Sequence, residues 1–310
     1  MKALLFLLLG GHLLAAGAAY AQTVDSGATG YCSWTLSGIP LGYTLTISGS
    51  GAMEDYYDGG DAPWYPYGSS IKTLTIEEGV TRIGFAAFAH CSGLTSVNIP
   101  SSVASIGNFA FAHCSGLTSV SIPSSVVSIG YWVFASCRNL TSVNIPNSVT
   151  SIGDGAFSGC SSLAQVNIPQ SVTSISSGTF FGCRSLTQVD IPNSITSIGN
   201  VAFSGCSGLR RVSIPSSVTS IGEWAFYACS GLTRLSIPSS VVSIGSGAFE
   251  DCRSLSLVVN LRATPQRISD SVFAGVNADF CTLLVPESAT SAYKSANGWK
   301  DFTNIAAQGN

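Results

Sequence analysis

Residues 91–113 read CSGLTSVNIPSSVASIGNFAFAH and residues 114–136 read CSGLTSVSIPSSVVSIGYWVFAS, one 23-residue unit written twice in succession. The unit then continues toward the C-terminus. Cysteine recurs at 91, 114, 137, 160, 183, 206, 229 and 252, and proline at 100, 123, 146, 169, 192, 215 and 238. Self-similarity at a period of about 20 to 50 residues is the signature of a stacked solenoid, in which each coil buries its apolar side only against its neighbours.

Within the first unit the apolar residues are Cys91, Leu94, Val97, Ile99, Val103, Ile106, Ala110 and Phe111, and Ser, Thr, Asn and Gly fill most other places. One coil therefore has one apolar lining. The stretch from Thr95 to Ile99 alternates polar and apolar residues, with β-branched side chains on the apolar beat, and predicts a short strand with one wet face. Pro100 has no N–H to donate and ends that strand at the same level in every coil. Gly107 supplies a permissive backbone in the following turn, but Ser176 holds its place in one unit, so a positive φ is either not required there or is strained in that coil. The eight inward side chains of one coil do not offset the cost of ordering it. Stability is expected from stacking, with strand pairing at ~4.8 Å per coil.

The unit LTSVxIPxSVTSIGxxAFxxC resembles that of the BspA-like leucine-rich-repeat proteins, found on the surface of anaerobic, often host-associated bacteria and of some parasitic protists. The resemblance spans roughly residues 31 to 305. It implies a curved leucine-rich-repeat solenoid, with a β-strand plus a turn or short helical segment per unit. It also implies binding or adhesive roles, and no catalytic residues.

Composition narrows the partners. The 310 residues carry 13 basic and 16 acidic groups, a charged fraction of only 9% and a net charge of −3. Nucleic acid is not expected, because phosphate binding requires clustered Lys and Arg. Beyond the leader the apolar residues come in strand-sized pieces, and no transmembrane segment is expected. The leader itself, with Lys2, an apolar run and Ala19-Tyr20-Ala21, predicts a secretory signal peptide over residues 1–21 and hence a secreted or cell-surface location. No cysteine stands at the cut to accept a lipid, and no C-terminal sorting motif is read.

Four segments follow. After the signal peptide, residues 22–67 predict an N-terminal β-rich cap with Trp34, Leu36, Leu45 and Ile47 inward. Residues 68–280 predict the solenoid, about nine coils with the first and last degenerate. Residues 281–310 predict a C-terminal cap, a strand in CTLLVP and a helix over about 287–296, with Trp299, Phe302 and Ile305 covering the open end. Such atypical end units are expected because a solenoid end exposes a sheet edge and an apolar cross-section.

The residues that could carry chemistry are few. The cysteine column reads as a line of buried small thiols in preference to a disulfide framework, since each Cys holds an inward slot. Cys32 and Cys281 lie outside the beat and are the better candidates for a bond. A line of thiols does not converge on a metal, and His90 with His113, one coil apart, lacks a third ligand. Glu54, Asp55, Asp58 and Asp61 beside Gly59 and Gly60 match no calcium loop and read as a solvated aromatic turn. No metal or cofactor is expected. Nor is an enzyme: GxSxG, HExxH and a phosphate-cradling glycine loop do not occur, and the regular units carry almost no acids.

Two surfaces are candidates for recognition. The outward strand positions form two columns, Ser96, Ser119, Ser142, Gln165, Gln188, Arg211 and Arg234, and beside them Asn98, Ser121, Asn144, Asn167, Asp190, Ser213 and Ser236. Side chains there vary without disturbing the lining. The second surface is aromatic: Phe109, Tyr131, Trp132, Phe181, Trp224 and Tyr227 occupy places that hold Gly, Ser, Asn or Asp in other coils. The sequence thus points to an exported, non-catalytic binding or adhesion module that presents its sheet to an extracellular protein or glycan. The alternative is a structural component that self-associates in a cell envelope or extracellular matrix.

Overall fold

The computed structural model describes residues 22–57 and 60–309, so the signal-peptide expectation and Asp58 and Gly59 of the acidic turn lie outside the described residues. The chain is a parallel β-solenoid of the leucine-rich-repeat type, about ten turns of some 23 residues. Short strands at the predicted place carry one ladder, among them Ser96–Asn98, Ser119–Ser121, Ser142–Asn144, Gln188–Asp190, Arg211–Ser213 and Arg234–Ile237. A second ladder of two-residue strands, such as Ser105–Ile106 and Ser128–Ile129, runs through the stretch that reads as a mere turn. Two residues are too few to show a period of two, which is why the sequence did not suggest it.

The lining is buried along the stack, with Val97 and, in the last coil, Ile268 and Phe273 only partly covered. Its spine is a line of rings: Phe88, Phe111, Phe134, Phe157, Phe180, Phe203, Phe226, Phe249 and Phe273 stack coil on coil with centroids 5.2 to 5.8 Å apart. After each strand the proline carbonyl accepts from the N–H three residues on, Val103 to Pro100 at 3.2 Å and Val126 to Pro123 at 3.1 Å, and closes the turn.

Glycine in the next position is needed for proximity and not for φ, the first of the two alternatives that the serine at 176 leaves open. Gly107 and Gly222 have no positive φ. A Cβ on Gly107 would lie 2.7 Å from the carbonyl carbon of Gly84, and one on Gly222 would lie 2.6 Å from that of Gly199. This closeness lets the Gly222 N–H donate to Ile198 O at 2.8 Å. Gly222→Ala is therefore expected to destabilise the chain by about 2 kcal/mol in urea unfolding, through overpacking and loss of that bond. An unchanged midpoint would show that the coils separate without cost.

Ser176 shows the coil contact without glycine. Its hydroxyl donates to Ile152 O at 2.6 Å, and the second ladder breaks there, one sheet ending with Ser151–Ile152 and the next starting at Ser174–Ile175. The same coil carries Ala164 where Thr118 and Thr141 donate their hydroxyls to the preceding coil at 3.2 and 3.0 Å. The first ladder is reduced beside it to a single bridge, Asn167 to Asp190. One coil with two departures from the repeat thus interrupts both ladders.

At the N-terminal end β1 (Thr23–Thr29), β2 (Cys32–Ile39) and β3 (Gly42–Gly49) form an antiparallel meander, and β3 pairs in parallel with Ile71–Ile76. Trp34, Leu36, Leu45 and Ile47 are buried there. Trp64 stacks on Phe88 at 5.6 Å and donates its indole N–H to Ala87 O at 2.8 Å. At the other end Leu257–Asn260 pairs with Thr282–Val285, and that strand pairs with Asn304–Ala307, which the sequence did not suggest. Helix α1 (Thr290–Ser295) lies between the last two strands. Trp299 and Phe302 meet Phe273 at 5.3 and 5.1 Å. We propose that these two end segments act as caps, each closing the phenylalanine line with a tryptophan.

Candidate functional site

The cysteines are structural. All ten are free and buried. Cys32 and Cys281, the better candidates for a bond, share this state: one belongs to the first strands and the other to the last, and each is turned into the lining. Within the column each thiol from Cys114 to Cys252 donates to the phenylalanine carbonyl of the preceding coil, Cys114 to Phe88 at 3.1 Å, Cys137 to Phe111 at 3.2 Å and Cys206 to Phe180 at 3.1 Å. Burial pushes Cys91, Cys137, Cys206 and Cys252 up to about 12. Thiols held protonated in this way are inert as nucleophiles. In the acidic turn, Asp55 is engaged by the Arg82 guanidinium and the Phe85 N–H, both at 2.6 Å.

The outward columns are exposed at every predicted position from Ser96 and Asn98 to Arg234 and Ser236. Strand register sets their neighbours: Ser119 opposes Ser142, Ser121 opposes Asn144, Gln188 opposes Arg211, and Arg211 opposes Arg234. Asp190 opposes Ser213, which opposes Ser236. Gln188 donates to Asp190 at 3.0 Å along its own strand. Among the described residues Arg211 and Arg234 have no acidic partner; the ion pairs are Arg82 with Asp55 and Arg253 with Asp251.

One feature of this face escaped the sequence. Where the ladder thins to its single bridge, a depression of about 300 Å³ opens between Gln165, Gln188 and Asp190, and a second of about 250 Å³ lies between Asn167, Asp190 and Asn193. The columns are therefore not a flat ladder: polar side chains rim a break in the sheet, one coil away from the arginine pair.

The aromatic positions divide. Trp132 and Trp224 lie across glycines of the following coil, where a Cβ on Gly155 or Gly247 would come within 2.6 or 2.4 Å of the indole. Both keep two-fifths of their surface exposed, at 41% and 44%. Phe109 runs parallel to Trp132 with centroids 6.4 Å apart. Tyr131 is exposed, and Tyr227 is half-buried. Exposed Phe181 stands in a depression of about 400 Å³ between Arg138 and Arg184.

Comparison with known proteins agrees with this geometry. The BspA type leucine-rich repeat region, in six copies, matches residues 65–187 and 173–298. The chain is similar to the crystal structure of a leucine-rich repeat protein from Eubacterium ventriosum, at 23% identity over 91% of this chain and 85% of that one, with a TM-score of 0.54. It is also similar to the T. pallidum leucine-rich repeat protein, at 24% identity over 74% of this chain and 91% of that one, with a TM-score of 0.50. No curated protein matches it. At such identities the two structures speak for the fold. The family model reaches further, because it covers most of the chain: the protein belongs to the BspA-type leucine-rich-repeat family.

Proposed function

We propose that the chain is an exported binding or adhesion module that engages an extracellular protein or glycan through the outward columns of its first ladder. Leucine-rich-repeat proteins of this family are generally non-catalytic, and the reading needs no reacting group. The observation that carries it is the arginine pair. Arg211 and Arg234 stand opposite one another in strand register, exposed and without an acidic partner among the described residues. Two guanidiniums one strand apart, ~4.8 Å, repel, and a carboxylate or sialic acid on a partner relieves that repulsion through bidentate hydrogen bonds. The rimmed depressions beside Gln188 and Asp190 extend the contact.

The test is binding of the purified chain to immobilised sialylated mucin and to a panel of extracellular-matrix proteins. The double variant Arg211→Ser, Arg234→Ser should bind the positive surface about tenfold more weakly or worse, about 1.4 kcal/mol, and lose its salt sensitivity. Unchanged affinity in the folded variant would move recognition off these columns.

A further inference from the structure

One turn position is left-handed in coil after coil: Ala86, Phe109, Trp132, Gly155, Gly178, Val201, Trp224 and Gly247 all have φ between 48° and 63°. Glycine enters that region freely, and a bulky side chain does not. Phenylalanine at 109 and tryptophan at 132 are therefore held where glycine serves three other coils. Burial is a poor reason for it, since Phe109 is 37% exposed.

Their surroundings suggest a better one. Tyr57, Phe85, Phe109 and Trp132 form a continuous row, with successive centroids 5.4, 5.5 and 6.4 Å apart. Beside the row His90 and His113 stack at 4.6 Å, within 3° of parallel. Tyr57, Phe85 and Phe109 of the row and both histidines line one groove of about 310 Å³, floored by the buried Ala86, Ala89 and Ala112, and Trp132 continues the row beyond it. Acids, lysines and arginines do not line it. Burial, then His90 and Arg138, lower the pKa of His113, so this imidazole is neutral at neutral pH. A neutral imidazole both donates and accepts a hydrogen bond.

Such a groove fits an uncharged occupant that is flat and apolar on its faces, hydroxylated at its edges, and extended along the solenoid axis. A pyranose has that form: its C–H face lies on an aromatic ring while its equatorial hydroxyls reach the imidazoles. A β-linked chain repeats the arrangement ring after ring, as the solenoid repeats it coil after coil at ~4.8 Å. We propose that the groove between Tyr57, Phe85 and Phe109 on one side and the His90–His113 pair on the other binds a neutral β-linked glycan. This site uses none of the outward strand columns and does not depend on the reading given for them.

The probes are cellohexaose, chitohexaose and laminarihexaose, each titrated calorimetrically into the full chain. Saturable binding of at least one is expected. Phe109→Gly should weaken it about tenfold or more while holding or raising the Tm, because glycine relieves the left-handed backbone. Phe85→Ser, at a place that holds serine in other coils and has no left-handed backbone, should weaken it as well. The variant Arg211→Ser, Arg234→Ser should bind these sugars normally, which separates this site from the sheet. Absence of binding to all three sugars at millimolar concentration overturns the proposal. So does unchanged affinity in Phe109→Gly, or a fall in its Tm that accounts for the lost binding, since either outcome returns the row to packing.

Discussion

Raising the pH above 9 is expected to destabilise this protein steeply. The cysteines of the column have an ordinary thiol value of 9.0 when the chain is open. In the fold, burial raises Cys91, Cys137, Cys206 and Cys252 to about 12, and Cys114, Cys160, Cys183 and Cys229 well above 9.0. A folded value above the unfolded one means that the fold holds its protons more tightly. The stabilisation is complete below pH 9 and is lost as pH rises from there toward 12. In that window each of the four thiols raised to about 12 withdraws on the order of 1 kcal/mol per pH unit, about 5 kcal/mol together by pH 10, and the other four act in the same direction. That is a large part of the whole stability of an ordinary domain, about 5 to 15 kcal/mol. Burial of Tyr293 raises its phenol too and adds in the same direction. Urea midpoints measured anaerobically should be level from pH 7 to about 8 and then fall steeply. A level curve through pH 10 would mean that the thiols are not buried acids. The same column predicts that alkylation without reductant labels the cysteines only after denaturation, and intact mass showing bonds between them would contradict it.

The repeat made the lining legible, because a residue that faces inward in one coil must face inward in all of them. Cys91, Leu94, Val103 and Phe111 needed no structure to be placed. The outward columns were legible for the same reason: once Val120 is inward, Ser119 and Ser121 are not. What a period does not reveal is the effect of departures from it. Ser176 was visible, but that a Cβ there meets the preceding coil depends on coil spacing, which the sequence does not state. Ala164 looks harmless until the threonine hydroxyls at 118 and 141 are seen to bridge coils. The break in both ladders and the depressions on the sheet fall in the coil that carries these two residues. The aromatic places were also visible, yet the left-handed backbone that sets Phe109 and Trp132 apart from ordinary packing is a property of the turn. Outside the beat the pattern was weaker still. Cys32 and Cys281 looked exceptional only because the repeat did not explain them, and the final strand Asn304–Ala307 carries only Ile305 as a large apolar residue.

Removing residues 281–310 is expected to turn a soluble solenoid into an aggregating one. The deletion strips Thr282–Val285 from Leu257–Asn260 and leaves that strand as an open edge. It also removes Leu283, Val285, Tyr293, Trp299 and Phe302, all buried, from the end of the stack. Polar anchors are lost with them: Trp299 donates its indole N–H to Gln266 O at 2.9 Å, and Tyr293 its hydroxyl to Arg262 O at 3.0 Å. An open edge and an apolar cross-section on one end together form a template for a second chain. Edge and cross-section can be told apart with a shorter deletion. Removal of residues 303–310 takes away only Asn304–Ala307, exposing the edge of Thr282–Val285 while Trp299 and Phe302 stay on Phe273. If the aromatic plug is what closes the solenoid, the shorter chain should keep the mass of the intact protein in size-exclusion chromatography with light scattering, with a modestly lower Tm. The longer truncation should elute as large assemblies. Equal behaviour of the two truncations would assign the closure to the edge strand, and an unaltered mass and Tm after the longer one would remove the capping role from this segment altogether.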